Sequence, residues 1–260
     1  MKQRTITWSY GGGTQSAAIT VLIAQGRLPK PEVAVIADTG REATETWDYL
    51  REHIQPLLDS VSVKIHIASH KLATVDLYGH NGDLLLPAFT RTGKLQTFCS
   101  MEWKAYVVQR WLRAQGFGPK KPVKTWIGFS LDEVSRVKDG RVKWQQLHWP
   151  LLLDISPALT REDCKRVVID AGLPSPPKSS CKMCPHRQND QWQRLKNSYP
   201  QDWAEAVKLD EEIRTKDREQ GVYLHFSRQP LAQADLTIKP EPEHPLFGHG
   251  EGCESGYCWT

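Results

Sequence analysis

A chain of 260 residues with 34 Lys and Arg against 30 Asp and Glu carries a formal net charge of +4, and 39% of it is hydrophobic. That suffices for a core in one large domain, or one domain with a smaller appendage; the mild excess of positive charge is compatible with phosphate or nucleic-acid ligands without demanding either. No apolar run approaches the roughly 18 residues of a membrane span, and MKQRTITWSYGGG lacks the apolar stretch of a secretory signal, so the expectation is a cytoplasmic protein with no membrane partner.

In chain order, Thr5 to Ser9 reads as a strand running into a glycine cluster, and Ser16 to Gln25 as an apolar helix. Glu32 to Ala37 is a buried strand. Glu42 to Leu58 follows as an amphipathic helix, with Trp47, Leu50, Ile54 and Leu58 near one face. Val63 to Ala68 is a third strand, and residues 70–98 are irregular, a long loop or lid. Met101 to Ala114 is helical, with Trp103, Val107 and Trp111 at helical spacing. Thr125 to Phe129 and Leu147 to Leu153 read as further strands. Strands alternating with helices predict a Rossmann-like α/β fold, a parallel sheet with helices on both faces. The proline-rich LPSPPK, Leu173 to Lys178, marks a break. The expected division is an α/β domain over 1–172 and a mainly helical and loop-like, cysteine-containing, metal-binding region over 173–260. Within the latter, Lys196 to Arg218 is helical and the tail from Ile238 is loop.

Ser9 to Ser16, SYGGGTQS, lies between a strand and a helix. Gly11, Gly12 and Gly13 let the backbone approach an anion closely, and the helix that follows aims free N–H groups at it. Ser9, Thr14 and Ser16 could add hydroxyl donors. A plain glycine-rich turn is the alternative; the spacing is neither GxGxxG nor GK[ST].

GGGTQS resembles the SGGxDS pyrophosphate loop of the PP-loop ATP pyrophosphatases, with Gly11 at the usual Ser and Gln15 at the usual Asp. Glutamine at that place is also found in phosphoadenosine-phosphosulfate (PAPS) reductases. A neutral Gln15 removes a charge that would repel a multiply anionic ligand. ADTGREATET, from Ala37, is similar to the DTGxxxPET segment of the PAPS reductases, with Ala43 at the usual proline. Asp38, Thr39 and Gly40 would then lie at a strand's carboxyl end, facing nucleotide. A helix N-terminus capped by Thr39 or Thr44 is the alternative there. GFSLDEVSR, Gly128 to Arg136, is similar to a third family segment. The resemblance implies that Arg136 meets a phosphate or sulfate oxygen; a salt bridge with Glu133 is the alternative. The three matches in order, with SPALTREDCKRVVIDAGLPSPP beyond them, cover most of residues 5–187 and resemble the PAPS reductase-like family of the adenine nucleotide alpha-hydrolase superfamily.

Six cysteines in a chain without a signal favour metal ligands or catalytic thiols over a disulfide framework. Cys181 and Cys184, in SSCKMCPHR, form a C-x2-C pair whose spacing chelates a metal. Cys99, before a helix, resembles the first cluster cysteine of iron–sulfur adenylyl-sulfate reductases, with Phe98 where those have a second cysteine. Cys253 and Cys258 in the tail offer the missing ligand, and a 4Fe-4S cluster would use Cys99, Cys181, Cys184 and a tail cysteine such as Cys253. Zinc, with His186 as a possible ligand, and an unmetallated redox pair are the alternatives. The resemblance also suggests Cys253 or Cys258 as a nucleophile, although EGCESGYC is only loosely similar to the family's EC-x-x-H motif and lacks the histidine. Cys164 reads as a packing residue in a helix.

The family reading implies an adenine-nucleotide-binding iron–sulfur enzyme of sulfur metabolism, reducing or transferring sulfur from an adenylyl-sulfate-type substrate with a thiol reductant or sulfur donor as partner. An ATP-dependent sulfurtransferase acting on tRNA or DNA is the competing expectation, supported by tryptophans near basic residues (Trp103, Trp111, Trp144, Trp192) and by RVKDGRVKWQQ. Buried tryptophans and a solvated loop are the plainer readings of those features. A non-catalytic nucleotide-binding module with a structural metal is the third. A homo-oligomer is compatible with all three.

Overall fold

The computed structural model describes residues 4–69, 77–96, 98–216 and 221–238. Five strands form one sheet: β1 (Thr5–Ser9), β2 (Val33–Asp38), β3 (Ile65–Ser69), β4 (Val123–Ile127) and β5 (Gln145–His148). Their order is β3-β2-β1-β4-β5 and every pairing is parallel. The chain moves outward from β1 through β2 to β3, then crosses back to lay β4 on the other side of β1. Between β1 and β4 the connections diverge, which opens a crevice at the carboxyl ends of the strands.

The two-residue period of the strands sorts their side chains onto two faces. Trp8, Ala34, Ile36, Ile65 and Trp126 join a core with α1 (Thr14–Ala24), α3 (Gln55–Ser60) and α6 (Arg161–Asp170). Val35, Ala37, Ala68 and Val123 pack instead on Val107, Val108 and Leu112 of α4 (Tyr106–Ala114). The sheet is therefore covered on both faces, which is why VAVIA in β2 reads as an unbroken apolar run. At its centre the Thr7 and Thr125 hydroxyls meet at 2.8 Å, satisfying each other in the core. Cys164 is buried in α6, as a packing residue should be.

Four elements depart from the expected ones. β5 ends at His148, and Pro150 opens a short helix, α5 (Pro150–Leu153), where Leu147 to Leu153 reads as a strand. Proline cannot donate to a strand ladder, and its fixed φ suits a first helical position. Similarly, Lys196 to Arg218 is not one helix: α7 (Asn189–Ser198) ends before Pro200, which begins α8 (Pro200–Lys216). The helix over 42–58 is α2 (Thr44–Tyr49) joined to α3 by a π-helical turn, Leu50–Ile54. A second π-helical turn, Ser100–Ala105, leads into α4 and shifts its register. As a result Trp103 enters a different core from Val107 and Trp111, despite their helical spacing.

That other core contains Trp192 and Leu195 of α7, Ala206 and Ile213 of α8, and Leu84, Leu86 and Ala88 of the irregular stretch 77–96. It draws on both sides of the 172/173 division. Asp210, buried on α8, accepts from the backbone N–H groups of Leu224 (2.9 Å) and Leu231 (3.0 Å) and so seats residues 221–238. Asp202, also on α8, caps α2 from a distance: it accepts from Thr44 N at 2.7 Å and Thr44 Oγ1 at 2.9 Å. Neither Thr39 nor Thr44 occupies the N-cap position of α2, which is Ala43. Asp202→Ala is expected to cost about 1–2 kcal/mol through the lost cap, and Asp202→Asn less, in urea unfolding followed by circular dichroism.

Candidate functional site

The glycine loop leaves β1 at the crevice edge. Tyr10 N still pairs with Val35 O at 2.8 Å, and then the chain turns. Gly12 has φ +77, and a Cβ there would lie 2.8 Å from Thr46 Cγ2 and 3.2 Å from Ser179 Oγ. Both the dihedral and the space demand glycine. Gly13 is the N-cap of α1 and provides no side-chain cap. The first-turn N–H groups, at Thr14, Gln15 and Ser16, thus have the orphan geometry that suits an anion. Ser16 Oγ accepts from Gly11 N at 2.9 Å, holding the loop closed on itself.

Gln15 faces away from the loop: its Nε2 donates to Glu133 Oε2 at 2.8 Å and to Ser130 Oγ at 3.3 Å. An aspartate at this place would confront Glu133, so the neutral residue fits its neighbour. Glu133 lies on the 3-10 turn Leu131–Arg136, which Ser130 and Glu133 cap reciprocally. Its other oxygen pairs with Arg136 Nη1, so the salt bridge is formed. The Arg136 side chain is nevertheless only 10% exposed, and its Nε has no hydrogen-bond partner among the described residues. Gly128 lies under this turn; a Cβ would meet Ile19 Cδ1 at 3.3 Å and Gln15 Cβ at 3.4 Å, so its role is close packing of β4's end on α1.

A cavity of about 340 Å³ opens on the α4 face of the sheet. Ser9, Thr125 and Ile127 form its floor, Tyr106 and Trp149 belong to its walls, and Arg136, Lys138 and Arg141 bring positive charge to it. Part of the basic run from Arg136 thereby lines a cavity. A second, small crevice beside it is bounded by Ser9, Tyr10, Gly11, Glu42 and Lys104. Ser9 belongs to both.

The DTG segment follows β2. Asp38 Oδ1 accepts from Gly40 N at 2.7 Å, closing a tight turn around Gly40, and Thr39 Oγ1 accepts from Arg41 N at 3.2 Å. Residues 41–43 then pair with the cysteine turn: Ala43 N donates to Ser180 O, Lys182 N donates to Arg41 O, and Glu42 bridges Cys181 antiparallel. Glu42 is buried and forms an ion pair with Lys104 at 3.1 Å. Arg187, 2% exposed, reaches the carbonyls of Ser180 and Cys181 and the Glu45 carboxylate of α2. The DTG segment thus neighbours the glycine loop on one side and the cysteines on the other.

Cys181 and Cys184 share one turn, closed by Cys184 N to Cys181 O at 3.0 Å, and Cys99 packs against the same core as Cys181. Among the described residues, no three His, Cys, Asp or Glu side chains assemble into a group that could hold a metal. Cys253 and Cys258 lie outside the described residues. Burial, and secondarily Glu42, push the Cys181 thiol up to about 12, against the opposing pull of Lys104 and Thr39. The His186 ring is held neutral, its pKa depressed to about 4 by burial and then by Lys94 and Lys178. Lys94 Nζ sits 3.1 Å from its Nδ1. Trp103 and Trp192 are buried, while Trp111, on α4, and Trp144 are partly buried against the core that α4 forms with the sheet.

Lys104, Glu42, Ser179 and Arg187 carry this geometry without a signal of their own in the sequence. Lys104 lies on the helical stretch that follows Cys99, and Glu42 follows the DTG turn, which are the only pointers to either. No helix among the described residues is long and apolar enough to cross a membrane. The chain matches no protein-family model, and a comparison with curated proteins finds no match.

Proposed function

We propose that this chain is an adenine-nucleotide-binding enzyme of the PAPS reductase-like class, acting on an adenylyl-sulfate-type substrate. One observation carries the reading. The cavity at the divergence of β1 and β4 runs from Ser9, beside the glycine loop, to a nine-tenths-buried Arg136 whose Nε has no hydrogen-bond partner among the described residues. A cavity of this size suits a small ligand, and a buried guanidinium N–H without an acceptor costs stability unless a ligand supplies one. In this reading the N–H groups of residues 14–16 bind the phosphate bridge. Arg136 takes a further anionic oxygen, Tyr106 and Trp149 shelter the apolar part, and Lys104 adds charge beside Gly11.

The reaction in this reading needs a thiolate, from Cys253 or Cys258. It attacks the sulfonyl sulfur, the bond from sulfur to the phosphate oxygen breaks, and the nucleoside phosphate leaves with the electron pair. An external dithiol then attacks the resulting cysteine S-sulfonate, releases sulfite and ends as the disulfide. Cys99, Cys181, Cys184 and Cys253 are the thiols that a 4Fe-4S cluster would use. The described residues do not bring three ligands together, so no step is assigned to a cluster.

Anaerobically prepared protein given adenylyl sulfate or PAPS and a dithiol should release sulfite, and replacing both Cys253 and Cys258 by serine should end it. Release of AMP and pyrophosphate from ATP, with thiolated RNA or DNA as product and no sulfite, would instead identify sulfur transfer to nucleic acid. Neither product from the intact chain would defeat the enzymatic reading.

A further inference from the structure

The cysteine turn and the glycine loop share a wall, and one residue is common to both. Ser179 Oγ lies 2.6 Å from Gly11 O and 3.0 Å from Glu42 Oε1. Gly12 and Gly13 pack directly on it: added Cβ atoms would lie 3.2 Å from its Oγ and 3.4 Å from its Cβ respectively. Directly after it, Ser180 O accepts from Ala43 N, and Cys181 bridges Glu42. Thr39 Oγ1 is 3.8 Å from Cys181 Sγ. At the other end of the chain of contacts, Glu42 Oε2 holds Lys104 at 3.1 Å, and Lys104 bounds the crevice with Ser9 and Gly11.

We infer that Ser179 is a positioning residue that couples the two loops, so that an anion held by residues 11–16 restricts the Cys181–Cys184 turn. The inference rests on residues 11–16 being a phosphate loop. A carbonyl facing an anion repels it, and the Ser179 hydroxyl occupies the Gly11 carbonyl. Lys104, shared between Glu42 and the crevice, gives the anion a second handle on the same wall. An anion that fixes the loop therefore fixes Ser179, and with it Ser180, which leads directly to Cys181. Linkage makes the effect reciprocal: whatever immobilises the cysteine turn changes anion affinity by the same factor.

The test is peptide-resolved alkylation by iodoacetamide on the full chain, with and without saturating ATP, and with adenosine as the phosphate-free control. ATP binding is measured in parallel by calorimetry. ATP should slow modification of Cys181 and Cys184 by about fivefold or more, and adenosine should not. In Ser179→Ala, at ATP concentrations that saturate it, the slowing should disappear. Lys104→Gln, which cuts the other end of the contact chain, should weaken the slowing and serves if Ser179→Ala does not fold. ATP that binds without changing either rate in the unsubstituted chain overturns the coupling and leaves the nucleotide reading intact. Full slowing retained in the folded variants overturns the role of Ser179 and Lys104. Absence of ATP binding overturns both the coupling and the reading beneath it.

Discussion

Gly12→Ala is expected to remove nucleotide binding and to destabilise the fold together. A non-glycine residue at φ +77 costs about 1–2 kcal/mol in the left-handed region. The new methyl would also sit 2.8 Å from Thr46 Cγ2. Thr46 is buried at 1% exposure and lies on α2, so it cannot swing aside. Moving either the loop or the helix brings the total to about 2–4 kcal/mol. A displacement of the first turn of α1 would misplace its N–H donors, and each hydrogen bond to a charged group that is lost costs about 1.5–3 kcal/mol of binding. Gly11→Ala makes the contrast, because among the described residues its Cβ would meet only Ser16 Oγ, at 3.4 Å. The pair, compared by denaturation and calorimetry, separates a special backbone position from mere smallness.

Arg187→Ala should cost about 3–5 kcal/mol, the range for removing one member of a buried ion pair. At this chain length that lowers the midpoint of thermal unfolding on the order of 10 °C. Arg187 joins Glu45 to the Ser180 and Cys181 carbonyls and lies over Trp192. Its loss leaves Glu45 to Arg194, whose side chain is 61% exposed. Arg187→Lys should recover little, because one ammonium cannot span acceptors arranged for a planar fork. Since the same guanidinium holds the cysteine turn, both variants should also alkylate faster at Cys181.

The parallel sheet was legible because its signals are local. β1 and β2 are short runs at period two or fully apolar, and a glycine cluster follows directly on β1. Two of the departures turn on single prolines: Pro150 and Pro200 each begin a helix where periodicity alone continues the previous pattern. The π-helical turn at Ser100–Ala105 was invisible for a different reason, since a 3.6-residue template cannot register one widened turn.

At the site, the glycine loop and the C-x2-C turn were visible as motifs, but their meeting was not. Ser179 contacts Gly11 across 168 residues and Gln15 contacts Glu133 across 118, and no local pattern encodes such pairs. The reading of Arg136 as either an anion ligand or a partner of Glu133 posed alternatives that one side chain can combine. It pairs through Nη1, while its Nε has no hydrogen-bond partner among the described residues. Gly128 reads in the sequence as part of the nucleotide segment, and its surroundings in the fold are Ile19 and Gln15 of α1.

If a nucleotide's phosphates rest on the loop from Gly11 to Ser16, titration calorimetry of the folded chain with ATP, adenylyl sulfate and PAPS will register it. At least one of the three should bind at one site per chain, be displaced by inorganic pyrophosphate and fail to bind Gly12→Ala. Absence of binding by all three, or binding that neither pyrophosphate nor Gly12→Ala disturbs, would contradict it.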